Sequence, residues 1–142
     1  MLAMLHESIK VCQAIKEKLW GKEYWIANFP THCGKLLVLK QKYRCSVHYH
    51  KIKEETFFIV SGVVLLEYDD NQRTVMTPGH AITIKPFQRH RFTGLAPISE
   101  IIEFSSQHFE DDSYREDPSG KISEQEWEDS QEKLWKEYGN EY

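Results

Sequence analysis

From Lys22 to Ser106 the chain alternates short apolar or branched runs with turn residues and never offers an uninterrupted helix-length segment. This succession limits the fold more than any other feature. The runs Lys22–Phe29, Lys35–Leu39, Arg44–His50, Thr56–Val60, Val63–Tyr68, Arg73–Met76, Ala81–Ile84, His90–Phe92 and Ser99–Ser106 read as strands. Pro30, Gly34, Ser61-Gly62, Asp69–Gln72, Pro78-Gly79, Pro86 and Pro97 separate them. Strands this short at intervals of roughly 8–12 residues predict an all-β sandwich or jelly-roll barrel. A parallel α/β sheet needs crossover helices, which the pattern lacks.

Helices are expected only at the two ends. Ile9, Cys12, Ile15 and Leu19 recur at helical spacing, which predicts an amphipathic helix over Glu7–Leu19 with Gly21 as its C-terminal stop. Ser123 and Glu126 form a capping-box pattern. Asp129/Lys133 and Glu132/Lys136 are acid-to-base pairs four apart that carry a helix to about Gly139, with Trp127, Leu134 and Tyr138 on its apolar face. The expected organisation is a single domain with an N-terminal helix and leading strand over 1–33, a barrel over 34–109 and an acidic segment with a helix over 110–142.

With 142 residues, 40% of them hydrophobic, the chain can bury a core without disulfides, and three widely spaced cysteines (Cys12, Cys33, Cys45) read as reduced thiols. Residues 110–142 carry a net charge of -8 within a total of -4, which leaves the body mildly basic at +4. That suits an anionic small molecule and falls far short of a nucleic-acid-binding excess. No apolar run approaches the ~20 residues of a membrane span, and Glu7 and Lys10 interrupt any signal-peptide core, so a cytoplasmic address is expected.

Chemistry concentrates at His48-Tyr-His50-Lys-Ile-Lys53-Glu-Glu55. Residues two apart on a strand share a face, so His48 and His50 can present their imidazoles to one cavity while Tyr49 points away. Glu55 follows across a short turn, and His90 opens a later strand. Together they would make a three-His, one-carboxylate site for one divalent metal ion, with positions left for water or substrate.

The run H-x-H-x4-E-x6-G, filled by His48, His50, Glu55 and Gly62, followed by Pro78-Gly79 and by Pro86-x3-His90, resembles the two motifs of the cupin superfamily over about residues 34–106. Gln88 stands where the second motif usually has Gly, and Gly94 where Asn is common. The resemblance implies a single-domain cupin jelly roll and a metal among Mn, Fe, Co, Ni and Zn. The segment Ser46–Gly62, Ile101-Ile-Glu-Phe104 and Glu110-Asp-Asp-Ser-Tyr-Arg115 is further similar to the cupin domain of type II mannose-6-phosphate isomerases, with His48 and Lys53 departing from its Gln and Arg and matching small sugar-isomerase cupins equally well.

This similarity implies an aldose–ketose isomerase or epimerase acting on a sugar or sugar phosphate through an enediolate. Such chemistry needs a base outside the metal ligands. Glu103, Lys53 and Lys85 are the candidates, the two lysines either as the base or as an ammonium that steadies the oxyanion, although strand alternation alone would equally let Glu103 face solvent. Arg115, with Lys53, is the candidate for binding a substrate phosphate or carboxylate. Two other readings share the same residues: an Fe(II)-dependent dioxygenase, and a non-catalytic sugar- or effector-binding module. His80 reads as a turn residue, and His6, His32 and His108 have no partner pattern. Trp20, Trp25 and Phe57 read as core or interface aromatics. Sheet edges and the aromatic Lys22–Phe29 strand suggest a homodimer.

Overall fold

Pairing of extended segments begins with the first described residues. The computed structural model describes residues 12–139. Its strands are β1 (Ala14–Lys18), β2 (Gly21–Phe29), β3 (His32–Lys40), β4 (Tyr43–Arg44), β5 (Val47–Tyr49), β6 (Glu55–Ser61), β7 (Val64–Tyr68), β8 (Gln72–Met76), β9 (Ala81–Ile84), β10 (His90–Gly94), β11 (Ile98–Ser105), β12 (Tyr114–Asp117) and β13 (Gly120–Lys121), followed by a helix α1 (Glu124–Tyr138). A 3-10 turn covers Glu110–Asp112.

The strands form two antiparallel sheets. One has the order β1-β2-β3-β11-β6-β9; in the other β10 is central, with β4 and β5 along one side, β7 and then β8 along the opposite side, and β12 and β13 outside β5 and β4. Inward residues alternate strictly along β3, β6 and β11, so Leu37, Leu39, Phe57, Ile59 and Ile101 meet Leu66, Met76 and Phe92 of the facing sheet in a single core. The rings of Phe57 and Phe92 cross edge to face at 5.0 Å. This is the expected all-β jelly roll.

Gly62 shows how closely the end of β6 is drawn against β11. It adopts φ +80°, and a Cβ there would lie 2.4 Å from Ser99 Oγ and 2.6 Å from the Ile98 carbonyl oxygen, so only glycine fits the turn between β6 and β7.

The N-terminal expectation is corrected over the described residues. Residues 14–18 form β1 and not a helix, paired in register with β2 from Ala14↔Trp25 to Lys18↔Gly21. The periodic positions Ile15 and Leu19 stay exposed, because the open edge of β2 offers backbone partners that outweigh a weakly amphipathic helical pattern. Gly21 is no helix stop. A Cβ there would sit 1.8 Å from the Val38 carbonyl oxygen, so glycine lets β2 approach β3. The expected helix residues before Cys12, and His6, lie outside the described residues.

The C-terminal helix matches expectation more closely. Ser123 Oγ caps it by accepting from the Glu126 N–H at 3.1 Å, and Leu134 packs with Val63, Leu65, Val75 and Leu95 while Trp127 and Tyr138 flank that cluster. Of the two expected ion pairs, Glu132–Lys136 forms at 2.7 Å; Lys133 instead pairs forward with Glu137, and Asp129 accepts from Gln125. No helix among the described residues is long and apolar enough to cross a membrane.

The alternation on β11 gives a direct stability test. Ile101 is fully buried and Ile98 is largely exposed, so Ile101→Ala is expected to cost about 2–5 kcal/mol in urea unfolding and Ile98→Ala less than about 0.5 kcal/mol.

Candidate metal centre and cavity

His48 lies on β5 directly opposite His90 on β10, and His50 follows the end of β5. Alternation turns all three imidazoles inward, with ring centroids 4.4 Å apart for His48–His90 and 5.2 Å for His48–His50. Tyr49 points to the other side, where it stacks on Tyr114. One ligand nitrogen from each histidine lies within 4.8 Å of the others, so the cluster could hold a divalent metal ion.

Each imidazole is oriented by the main chain. His48 Nδ1 donates to the Ser46 carbonyl at 2.8 Å, His50 Nδ1 to the Asp112 carbonyl at 2.9 Å and His90 Nδ1 to the Gln88 carbonyl at 3.0 Å. A carbonyl only accepts, so Nδ1 carries a proton and Nε2 is the nitrogen turned toward the cluster. Burial, aided by the neighbouring His90, holds the pKa of His48 well below its ordinary value and keeps that ring neutral.

Glu55, at the start of β6, brings its carboxylate to 3.3 Å from His50 Nε2 and 3.6 Å from His90 Nε2. His50 Nε2, His90 Nε2 and Glu55 Oε2 are all buried without a hydrogen-bond partner. Lone pairs facing lone pairs in a buried site require a cation or a proton between them. The donor set of imidazole nitrogen and carboxylate therefore fits a divalent transition metal.

Two further side chains reach the same cavity, Lys53 from the turn between β5 and β6 and Glu103 from β11. Lys53 Nζ lies 3.5 Å from Glu55 and 3.2 Å from Glu103, all three nearly fully buried. Burial alone would lower the Lys53 pKa, but Glu103 and Glu55 outweigh it and raise it, so Lys53 is an ammonium. Burial likewise disfavours the Glu55 carboxylate, yet the Lys53 ammonium beside it holds its pKa well below the usual carboxylate range. Glu103 faces inward on β11 between Lys35 of β3 and Phe57 of β6, and Ser105 Oγ donates to its Oε2 at 3.0 Å.

The cavity encloses about 440 Å³, enough for a monosaccharide-sized ligand, over an apolar floor that includes Trp20, Leu37, Phe57 and Phe92. Arg115 lies beside His48 across β5–β12, is exposed, and lines the same cavity. Lys85 does not belong here. It projects from the end of β9 into solvent and pairs with Glu54 at 2.7 Å, because alternation after Glu55 sends its neighbour Glu54 outward. Lys53, by contrast, lines the cavity and is held as an ammonium, the form that can steady an oxyanion. His80 caps a turn through Thr77, as expected.

Three residues escaped sequence reasoning. His108 stands 3.2 Å from Lys53 Nζ, and burial, with Lys35 and Lys53 nearby, pushes its pKa down to about 3, so the neutral ring accepts from the ammonium. Asn28, 80 residues away, fixes it through two main-chain hydrogen bonds, a contact invisible to local pattern. Lys35 shares the inward face with Leu37 and Leu39, a position that alternation could have exposed. Asp112 is buried and accepts the N–H groups of Lys51, Ile52 and Lys53 at 2.9–3.2 Å, clamping the turn between β5 and β6 while its carbonyl orients His50. The loop leading to His90 also has its own solution: Phe87, at φ +67°, and not Gln88, takes the left-handed conformation, and the Gln88 side chain accepts from the Lys85 N–H.

Strand order, inward histidines and the polar barrel interior are those of a cupin-like jelly roll. The family profile described as "Cupin domain" matches residues 36–98, and the chain has the fold of the cupins it resembles. Among solved structures it is similar to the capsular polysaccharide assembling protein CapF from Staphylococcus aureus (TM-score 0.66, 16% identity, 73% of this chain and 34% of CapF). It is also similar to Streptomyces PAC13 with uridine (0.65, 16%, 80% and 88%) and to KdgF from Halomonas sp. (0.59, 18%, 72% and 89%). The match thus spans about a third of CapF. No curated protein matches the chain in sequence.

Two variants test the centre. His50→Ala is expected to lower metal occupancy, measured by elemental analysis, while His80→Ala leaves it unchanged; equal loss in both would contradict the assignment. Asp112→Ala, which frees the clamped turn and His50, should weaken metal affinity about 10–100-fold, the usual scale for a residue that orients a ligand.

Proposed function

We propose that this protein is a metal-dependent sugar or sugar-phosphate isomerase or epimerase that moves a carbon-bound proton through an enediolate. The observation that carries the reading is a buried carboxylate outside the ligand set, Glu103, sharing one cavity with the three-histidine cluster. Glu55 is the fourth ligand in this reading. When bound there, a divalent ion supplies Lewis acidity toward two adjacent substrate oxygens.

The remaining roles belong to the chain. Glu103 Oε2 is engaged by Lys53 and Ser105, which fixes the carboxylate and leaves Oε1 without a hydrogen bond among the described residues. Oε1 takes the proton from the carbon next to the carbonyl; the C–H electron pair becomes the enediolate double bond and the carbonyl pair moves to oxygen. The protonated Glu103 then returns the proton to the neighbouring carbon, while the hydroxyl on the first carbon passes its proton to the charged oxygen and its O–H electron pair forms the new carbonyl. Lys53, charged and positioned by His108, donates to the oxygen that gains charge. Arg115 holds an anionic substituent at the mouth. The names of two neighbours support a carbohydrate-related ligand: CapF is described as assembling capsular polysaccharide, and PAC13 was solved with uridine, which contains ribose.

The reading includes a homodimer. Outward residues Phe58, Ile98 and Phe104 of β6 and β11 expose apolar surface that a second copy would cover. Sedimentation at micromolar concentration is expected to show a dimer, and a monomer would contradict it.

Replacing Glu103 by Gln keeps size and removes the basic oxygen. Metal content and ligand affinity should persist, while exchange of substrate carbon-bound hydrogen with heavy water falls by ~10²-fold or more. Unchanged exchange would remove Glu103 as the base; no exchange by the wild type with any sugar or sugar phosphate would favour a binding module.

A further inference from the structure

Lys35 takes no part in the proton transfer assigned to Glu103 and Lys53, yet it is among the most deeply buried side chains of the protein, 1% exposed on the inward face of β3. A buried ammonium is costly unless a carboxylate or several acceptors compensate it. Among the described residues Lys35 has no such partner. Its cross-strand neighbour Glu103 turns instead to Lys53 at 3.2 Å, and Glu55 does the same at 3.5 Å. The Lys35 ammonium lies over the face of Trp25, its partner on β2, 4.4 Å from the ring centroid, and both residues line the cavity. Arg115 lines it too and is likewise free of any carboxylate among the described residues. Lys53 thus serves both buried acids, and Lys35 remains as a buried positive charge that a neutral ligand would leave uncompensated.

We propose that the Lys35–Trp25 side of the cavity is an oxyanion subsite that takes a phosphate or carboxylate group of the ligand. Lys35 is its buried charge partner, Trp25 the wall that fixes the ammonium by cation–π contact, and Arg115 the second cation at the mouth. The proposal rests on the sugar reading only for the molecule that carries the anion, and makes that molecule a sugar phosphate or a sugar acid.

The test is calorimetric titration of the purified full chain with inorganic phosphate and, separately, with acetate. Wild type is compared with Lys35→Met, which keeps length and removes the charge, and with Lys16→Met, which removes an exposed ammonium from the same Trp25 ring. Affinity for the tighter anion should fall about tenfold or more in Lys35→Met and change less than about twofold in Lys16→Met. Tighter binding of phosphate identifies a phosphorylated ligand, and tighter binding of acetate a sugar acid. The ligand-free Tm should rise in Lys35→Met, since an uncompensated buried charge is gone. Lys35→Gln gives the same affinity readout if the methionine variant does not fold.

Unchanged anion affinity in a folded Lys35 variant, or no saturable binding of either anion by wild type, overturns the subsite. A neutral hexose bound alike by wild type and Lys35→Met, with both anions failing, would remove the subsite and leave the sugar reading standing. Anion binding that depends on Lys35, with no sugar bound, would uphold the subsite and remove the sugar reading.

Discussion

The barrel is organised around one electrostatic constraint: Lys53, Glu55 and Glu103 are buried together beside three imidazoles whose free nitrogens converge. Charges of this kind are tolerated inside a protein only when paired and held rigidly. The surrounding fold supplies that rigidity. Nδ1 of each of the three converging histidines is tied to a main-chain carbonyl, Asp112 gathers the three N–H groups of the turn that carries Lys53, and Ser105 and His108 complete the bonds of Glu103 and Lys53. Below this layer the Phe57–Phe92 contact and the aliphatic rows of β3, β6 and β11 close the core.

The ligand cluster was legible because it depends on local rules. Strand alternation predicts that His48 and His50 share a face and that Tyr49 does not, and the spacing to Glu55 and Gly62 spans one turn and one strand. The cap at Ser123 is equally local. The misreadings arise where non-local pairing decides. Residues 14–18 carry a helical apolar period, but the edge of β2 captures them as β1. Lys85 looked equivalent to Lys53 in sequence, yet only Lys53 follows the clamped turn inward, while Lys85 turns out to Glu54. His108 acquires its place solely through Asn28 on a distant strand. Lys35 was the one residue whose inward position its alternation with Leu37 and Leu39 could have exposed.

Fold and chemistry separate clearly here. Jelly rolls of this kind host unrelated activities, so likeness to CapF, PAC13 or KdgF at 16–18% identity speaks for the architecture alone. Function is carried by what occupies the barrel interior: imidazoles and a carboxylate able to ligate a metal, a second carboxylate fixed through one oxygen, and the buried cations Lys35 and Lys53.

The central claim is that His48, His50 and His90 converge on one metal through Nε2. Nitrogen-15 NMR of the imidazoles during titration with Zn²⁺ tests it most directly. One equivalent of zinc is expected to shift the Nε2 resonances of all three histidines together, while their Nδ1–H signals persist at the carbonyls of Ser46, Asp112 and Gln88. Zinc that leaves those Nε2 resonances unmoved, or that displaces the Nδ1 protons instead, would contradict the assignment.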